Sequence, residues 1–177
     1  MQVTIKRFLV LILFLLSLNN YATSFDKAKE TIQIRQAAMQ ELWMRIKRLS
    51  PYVELKEKID YNKDIADQDA EEIILLLEKT KDLWPSYTNL SAKSFTNATP
   101  AVWALPDYFE KLYSAAEVSA ITLKETISND DIDGTEKAMC NLGNACGSCH
   151  ANFRRLLTSQ LASEVSGWSG QYIKNCN

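Results

Sequence analysis

Toward the carboxyl end of the chain stands Cys146-Gly147-Ser148-Cys149-His150, and those residue types at that spacing suit one kind of chemistry. Two thiols one helical turn apart can add to the two vinyl groups of a haem, and the next residue offers an imidazole to the iron. With ordinary usage of Cys and His, a chance match is expected on the order of once per thousand chains of this size. His150 is the single histidine, which excludes every site that needs two imidazoles, including the common His-rich zinc, copper and di-iron centres. The competing reading is an exported thiol–disulfide protein that uses Cys146 and Cys149 without haem. A redox motif of that kind ordinarily opens a helix after a strand in an α/β domain, and no strand pattern precedes it here.

The elements that must hold this motif follow from composition and spacing. The 177 residues are 46% hydrophobic and 24% charged, the balance of one compact domain. Five Gly and four Pro are too few for a sandwich or barrel, which needs a tight turn every few residues. Residues 1–24 read as a secretory signal peptide: Lys6 and Arg7 precede an apolar run from Phe8 to Leu18, and Ala22 and Ser24 supply small residues before a cleavage point at Phe25. That run is too short to span a bilayer as a retained helix, so no stable membrane insertion is expected after cleavage. Losing Lys6 and Arg7 from 20 cations leaves 18 against 22 anions, a net charge of −4, which gives no footprint for nucleic acid. Export also places the cysteines where disulfides persist.

Four helices are predicted in the mature chain. The first runs from about Asp26 to Leu49 and stops before Ser50-Pro51. Ile32, Met39 and Ile46 form one heptad row and Arg35, Leu42 and Leu49 the other, so a charged residue sits on an inner stripe. The second runs from about Asp64 to Leu83, with Ile65, Ile73, Leu76 and Leu77 inward, and ends at Trp84-Pro85. In the loop beyond it, Asn89-Leu-Ser and Asn97-Ala-Thr read as ordinary loop polarity. The third again has two rows, Val102, Phe109, Ala116, Leu123 and Leu105, Leu112, Ser119, Thr126, with a short turn around Trp103 before regular helix begins at Pro106. The fourth starts near Gly134 behind Asp133-x-x-Glu136 and carries the cysteine motif. The expected fold is all-α, an antiparallel up-and-down four-helix bundle with haem c bound covalently on the fourth helix. Residues 25–157 form the bundle and 158–177 a C-terminal extension.

The layout resembles the class II c-type cytochromes, the cytochrome c′ family, over roughly Thr31 to Arg155. The likeness rests on Arg35-Gln36-Ala37-Ala38-Met39, Leu83-Trp84-Pro85, Pro100-Ala-Val-Trp103 and Cys146-Gly-Ser-Cys149-His150-Ala-Asn-Phe153-Arg154. It implies a periplasmic monohaem protein that transfers electrons or binds nitric oxide or carbon monoxide, with His150 as proximal ligand and no substrate turnover. It further implies a redox partner protein and a homodimer built through the first two helices. Arg35 and Gln36 would lie at the haem edge near the propionates; the plainer reading of Arg35 is a snorkelling side chain at the bundle end. Met39, one turn beyond Arg35, would either ligate iron on the distal side or only plug it, and the resemblance leans toward the plug. Met44 and Met139 are the other methionines of the mature chain. Arg154 would line the proximal pocket, or else be a helix-end cation. Phe153, Trp84 and Trp103 are read as packing first.

Two features depart from the family. Cys140 stands where a small residue is common, and 22 residues follow Arg155. Cys140 and Cys176 are expected to form a disulfide, because the cysteines outside the motif are even in number and the compartment is oxidising. Reach sets a condition. A fourth helix straight to Ser166 would put its end about 39 Å from Cys140, beyond the ~36 Å that ten extended residues span. The helix must therefore break, and Thr158-Ser159 is the predicted place.

Overall fold

The structure is a computed structural model that describes residues 24–49, 62–93 and 95–155. Residues 1–23, within the segment expected to be a signal peptide, and the expected extension 158–177 lie outside the described residues.

The first helix, α1, is helical over 24–49. Ala28, Ile32, Arg35, Ala38, Leu42, Ile46 and Leu49 are its buried positions, three or four residues apart and hence on one stripe. The row containing Arg35, Leu42 and Leu49 is wholly buried. In the other row Met39 is only half-buried, because Ala38 takes the inward place beside it.

Helix α2 spans Lys63–Lys81, and Asn62 caps it by accepting from the Ile65 N–H at 3.1 Å. Ile65 is exposed, against the sequence expectation, and Ala66, Asp69, Ala70, Ile73, Leu77 and Thr80 face inward. Two alanines carry little weight in an apolar pattern, and Asp69 reads as a surface residue until its partners are known. Those partners come from α1: Arg45 Nη1 reaches Asp69 Oδ1 at 3.0 Å and Arg48 Nε reaches Oδ2 at 2.5 Å, so the buried carboxylate ties the two helices together.

Helix α3 is a single turn, Ala101–Ala104, and α4 spans Pro106–Ser128 with the proline in its first turn. The break at Leu105 (φ −127°, ψ 59°) is where the missing proline N–H costs nothing, and Leu105 itself is exposed rather than inward. Along α4 the side chains of Tyr113, Ala116, Ala120, Leu123 and Ile127 are buried. Tyr113 donates to Leu77 O at 2.5 Å and lies 2.6 Å from Thr80 Oγ1. The ion pairs Lys81–Glu117 (3.0 Å) and Lys124–Asp67 run beside it along α2 and α4.

Helix α5 spans Ile132–Phe153 and starts two residues before the expected Gly134, because the cap is Asp131, whose side chain accepts from Gly134 N at 2.9 Å. Gly134 leaves room for that cap: a Cβ would lie 2.1 Å from Asp131 Oδ2 and displace it. The helix also ends earlier than Thr158. Arg154 turns extended and forms an isolated bridge with Ala98, while Thr99 N donates to Phe153 O at 2.8 Å and Arg155 N to Asn97 O at 2.6 Å. The long loop thus takes over the last hydrogen bonds of α5, an interaction between segments far apart in the chain that no local pattern reveals. α1, α2, α4 and α5 make an antiparallel up-and-down four-helix bundle around one core, which includes Leu42, Ile73, Leu123, Met139 and Leu142.

Candidate functional site

The motif lies in the C-terminal half of α5, where the helix faces two hydrophobic clusters. Cys146 packs against the main core of the bundle. Cys149, three residues on, packs against a second cluster built on Ala98, Val102 and Phe153 with Trp84, Trp103, Phe109 and Leu112. Both thiols are free. Burial pushes the Cys146 thiol up to about 12, with the neighbouring Cys149 adding to it, and burial alone pushes Cys149 up to about 11. The His150 imidazole is pulled down to about 4, first by burial and then by the charge of Arg154. At neutral pH this stretch of α5 thus presents two thiols and a neutral imidazole in apolar surroundings.

The walls are aromatic. Phe109 meets Trp84 edge-on at 4.8 Å and Phe153 at 5.2 Å between ring centres. Trp103 donates from Nε1 to Trp84 O at 2.9 Å, which pins the α2 end against α3. Trp84, Trp103 and Phe153, read from the sequence as packing, all belong to the cluster beside Cys149. Phe109 joins them, and only its place in a heptad row had marked it.

Arg35 stands at this end of the bundle. It is 2% exposed, so it does not snorkel, and its guanidinium lies 4.0 Å from the centre of the Trp84 ring. It donates to Leu83 O at 2.8 Å, Thr88 Oγ1 at 3.4 Å and Thr96 Oγ1 at 3.2 Å. All three acceptors are uncharged, and no carboxylate among the described residues bonds it. Burial lowers its pKa to about 10, the mark of a cation without a counter-charge. Sequence reasoning missed Thr88 and Thr96, because a loop threonine gives no signal until the chain folds over Arg35.

The remaining expected residues separate clearly. Gln36 is exposed and donates to Phe95 O at 3.4 Å. Met44 is 56% exposed and Met139 is 1% exposed in the main core. Met139 also lies on the same helix as His150, about 16 Å along its axis, and so cannot face it. Met39 is half-buried on α1, one turn after Arg35. Arg154 follows His150 by four residues, and its charge reaches the imidazole.

The donor set fits a covalently held haem and little else. No group of three or more His, Cys, Asp or Glu residues that could hold a bare metal ion occurs among the described residues. A reactive dithiol needs its thiolate stabilised, commonly at a helix N-terminus; Cys146 and Cys149 lie near the opposite end of α5 in apolar surroundings. No helix among the described residues is long and apolar enough to cross a membrane.

Comparison with known proteins agrees with this geometry. A family model described as Cytochrome C' matches residues 30–154. Cytochrome c-554 of Cereibacter sphaeroides is 30% identical over 101 residues, which cover 56% of this chain and 65% of that protein; the match thus spans just under two thirds of the relative. A nitric oxide complex of a cytochrome c prime variant from Alcaligenes xylosoxidans superposes with a TM-score of 0.67 at 19% identity, covering 73% of this chain and 97% of that one. The cytochrome c' of Rubrivivax gelatinosus superposes with a TM-score of 0.65 at 20% identity, covering 72% and 97%.

Proposed function

Since the chain belongs to the cytochrome c′ family, we propose that it is an exported monohaem c-type cytochrome which carries electrons or holds nitric oxide or carbon monoxide at the iron. The observation that carries this reading is the gathering at one end of the bundle of the α5 thiols and imidazole with the aromatic cluster beside Cys149, on whose Trp84 ring the buried Arg35 guanidinium lies with no carboxylate partner among the described residues.

Bound there, haem c supplies an iron that accepts one electron or a diatomic gas. Cys146 and Cys149 would hold the macrocycle through thioethers. His150, kept neutral by burial, would offer its imidazole to the iron. Arg35 would answer a propionate carboxylate, giving the buried cation the counter-charge it lacks among the described protein groups. Gln36, its neighbour in the chain, would sit at the same edge. Met39 would act as a ligand or as a plug. Arg154 would flank the imidazole, which its charge already reaches. With the only imidazole committed to iron, the site would have no free histidine base for turning over a substrate.

Residues 1–24 direct the chain to the periplasm, where haem attachment is completed, and a redox partner protein exchanges electrons with it. The outward sides of α1 and α2 carry Ile34, Met44, Ile65 and Leu75 exposed, apolar surface that a homodimer through these helices would cover.

The test is expression in a host with working cytochrome maturation. One haem that resists acid-acetone extraction, with Cys146 and Cys149 no longer alkylatable, is the expected result. A colourless protein with both thiols free would instead support the thiol–disulfide alternative.

A further inference from the structure

At the start of α1, Phe25 meets Phe95 edge-on with ring centres 5.4 Å apart, and lysines lie over both rings. Lys29 Nζ is 4.5 Å from the centre of the Phe25 ring and 4.8 Å from that of Phe95, and Lys93 Nζ is 4.6 Å from that of Phe25. Sharing one ring keeps the two charges within about 9 Å of each other, about one Debye length. Further round the helix, Lys27 Nζ lies 5.4 Å from the centre of the Tyr87 ring, whose hydroxyl is 3.5 Å from Thr31 Oγ1. Lys63, Lys81 and Lys124 each pair with a carboxylate; among the described residues no carboxylate pairs with Lys27, Lys29 or Lys93. Asp26 and Glu30 are exposed, but each stands about 100° round the helix from the Phe25 or Lys29 before it. Tyr87 and Phe95 are each 40% exposed. A chain of net charge -2 thus gathers cations without carboxylate partners, and accessible rings, at one end of α1.

That end adjoins the candidate site. The loop that carries Tyr87, Lys93 and Phe95 also supplies Leu83 O, Thr88 Oγ1 and Thr96 Oγ1 to the buried Arg35 guanidinium, and Gln36 donates to Phe95 O. Two kinds of surface could meet such a patch. An interfacial anchor presents bare rings to acyl chains, whereas here ammonium groups lie over the ring faces. Three lysines are also fewer than the roughly four to eight of lipid-binding segments. An acidic protein face needs only the cations and some apolar contact beside them.

We infer that Lys27, Lys29 and Lys93, seated on Phe25, Tyr87 and Phe95, form the docking surface for the acidic face of a redox partner protein, which exchanges electrons with the haem across the 83–96 loop. The electron route rests on the haem reading above; the preference for an acidic surface does not. In each encounter the ferrous iron gives up one electron and becomes ferric, and the partner's oxidised centre is reduced by that electron. Seating on the rings holds the ammonium groups in place, so little side-chain freedom is lost on docking. Their charge steers the approach, and salt weakens that steering.

Stopped-flow oxidation of the ferrous holoprotein by hexacyanoferrate(III) puts a small anion in the partner's place: the iron loses one electron and the reagent becomes hexacyanoferrate(II). Although the chain is net acidic, the rate should fall about fivefold between about 10 mM and about 300 mM sodium chloride. In the triple variant Lys27→Gln, Lys29→Gln, Lys93→Gln the low-salt rate should drop about tenfold and then rise with salt, with the midpoint potential unchanged. Lys137→Gln, at the other end of α5, should stay within about twofold of the wild type. A wild-type rate that rises with salt, or a triple variant that keeps the wild-type rate, overturns the docking surface. An octaglutamate peptide should shift the amide resonances of Lys27, Lys29, Lys93 and Phe95, and should leave the triple variant unchanged. No shift, or shifts spread over the whole surface, overturns the acidic preference. Cosedimentation with phosphatidylglycerol vesicles that the variant loses makes the occupant a membrane and overturns it too. The peptide titration needs no haem, so a colourless protein that binds the peptide refutes the haem reading and leaves the acidic preference standing.

Discussion

Arg35→Met separates a cation that answers an anion from one that only clamps a loop. Burial draws the Arg35 pKa from 12.5 to about 10, and that difference sets about 3 kcal/mol against the charged side chain at neutral pH. Its three hydrogen bonds to neutral oxygens return about 1 kcal/mol each, and its seat 4.0 Å over Trp84 adds about 1–2 kcal/mol. With nothing but protein partners the terms nearly cancel, and Arg35→Met should cost about 1–2 kcal/mol. If a propionate shares the pocket, the variant strands a buried carboxylate and loses a further 3–5 kcal/mol or so. The assay is equilibrium urea unfolding of the ferric holoprotein, paired with potentiometric titration across pH. The expected result is a loss above about 4 kcal/mol, haem still attached through Cys146 and Cys149, and a midpoint potential lowered because a cation that favours the reduced iron is gone. Thr88→Val and Thr96→Val, which remove neutral acceptors of Arg35 together with the Thr88 bond to Pro85 O and the Thr96 bond from Ala98 N, should each cost about 1–3 kcal/mol and leave the potential unmoved. A loss of 1–2 kcal/mol or so with the wild-type potential at every pH would refute the propionate pairing and leave Arg35 as a clamp on the 83–96 loop.

Met39→Ala should broaden the visible bands and open carbon monoxide binding if Met39 is a ligand; an unchanged spectrum in a low-spin protein, read by absorption and magnetic circular dichroism, would deny it that role. Although burial pushes the Asp69 carboxyl up, the hydrogen bonds from Arg48 and Arg45 outweigh it and hold the group below its ordinary range. The stability it contributes is therefore full above about pH 4 and lost as pH falls through the lowered value, so urea midpoints of wild type and Asp69→Asn should differ at pH 7 and converge in acid. Gly134→Ala should cost about 1–2 kcal/mol, measured by thermal unfolding, because its Cβ displaces the Asp131 cap. Leu142→Ala, at a position with 0% exposure, should cost about 2–5 kcal/mol by the same measurement.

Local chemistry made much of the molecule legible in advance. The Cys146–His150 spacing, the single histidine and the heptad rows are properties of neighbouring residues, so they specify a haem-attachment helix and a bundle before any contact is known. The break at Leu105-Pro106 is likewise a backbone property, and the structure has it where the proline requires. Even the anomaly was visible, since Arg35 on an inner stripe breaks the pattern around it.

What the sequence could not supply depends on groups that meet only after folding. Asp69 looks like a surface carboxylate until Arg45 and Arg48 arrive from another helix, and the inward face of α2 is built on alanines that no apolar count favours. Met44 is exposed and Met139 is buried in the main core on the same helix as His150, and spacing encodes neither. The end of α5 was misplaced for the same reason. The Phe153 carbonyl accepts from Thr99 N and Arg155 N donates to Asn97 O, and a helix terminus set by a distant loop leaves no mark in the residues of the helix itself. Arg35 shows both halves at once: its stripe was written in the heptad, but its burial against uncharged oxygens, which makes it a cation in need of an anion, is a property of the fold.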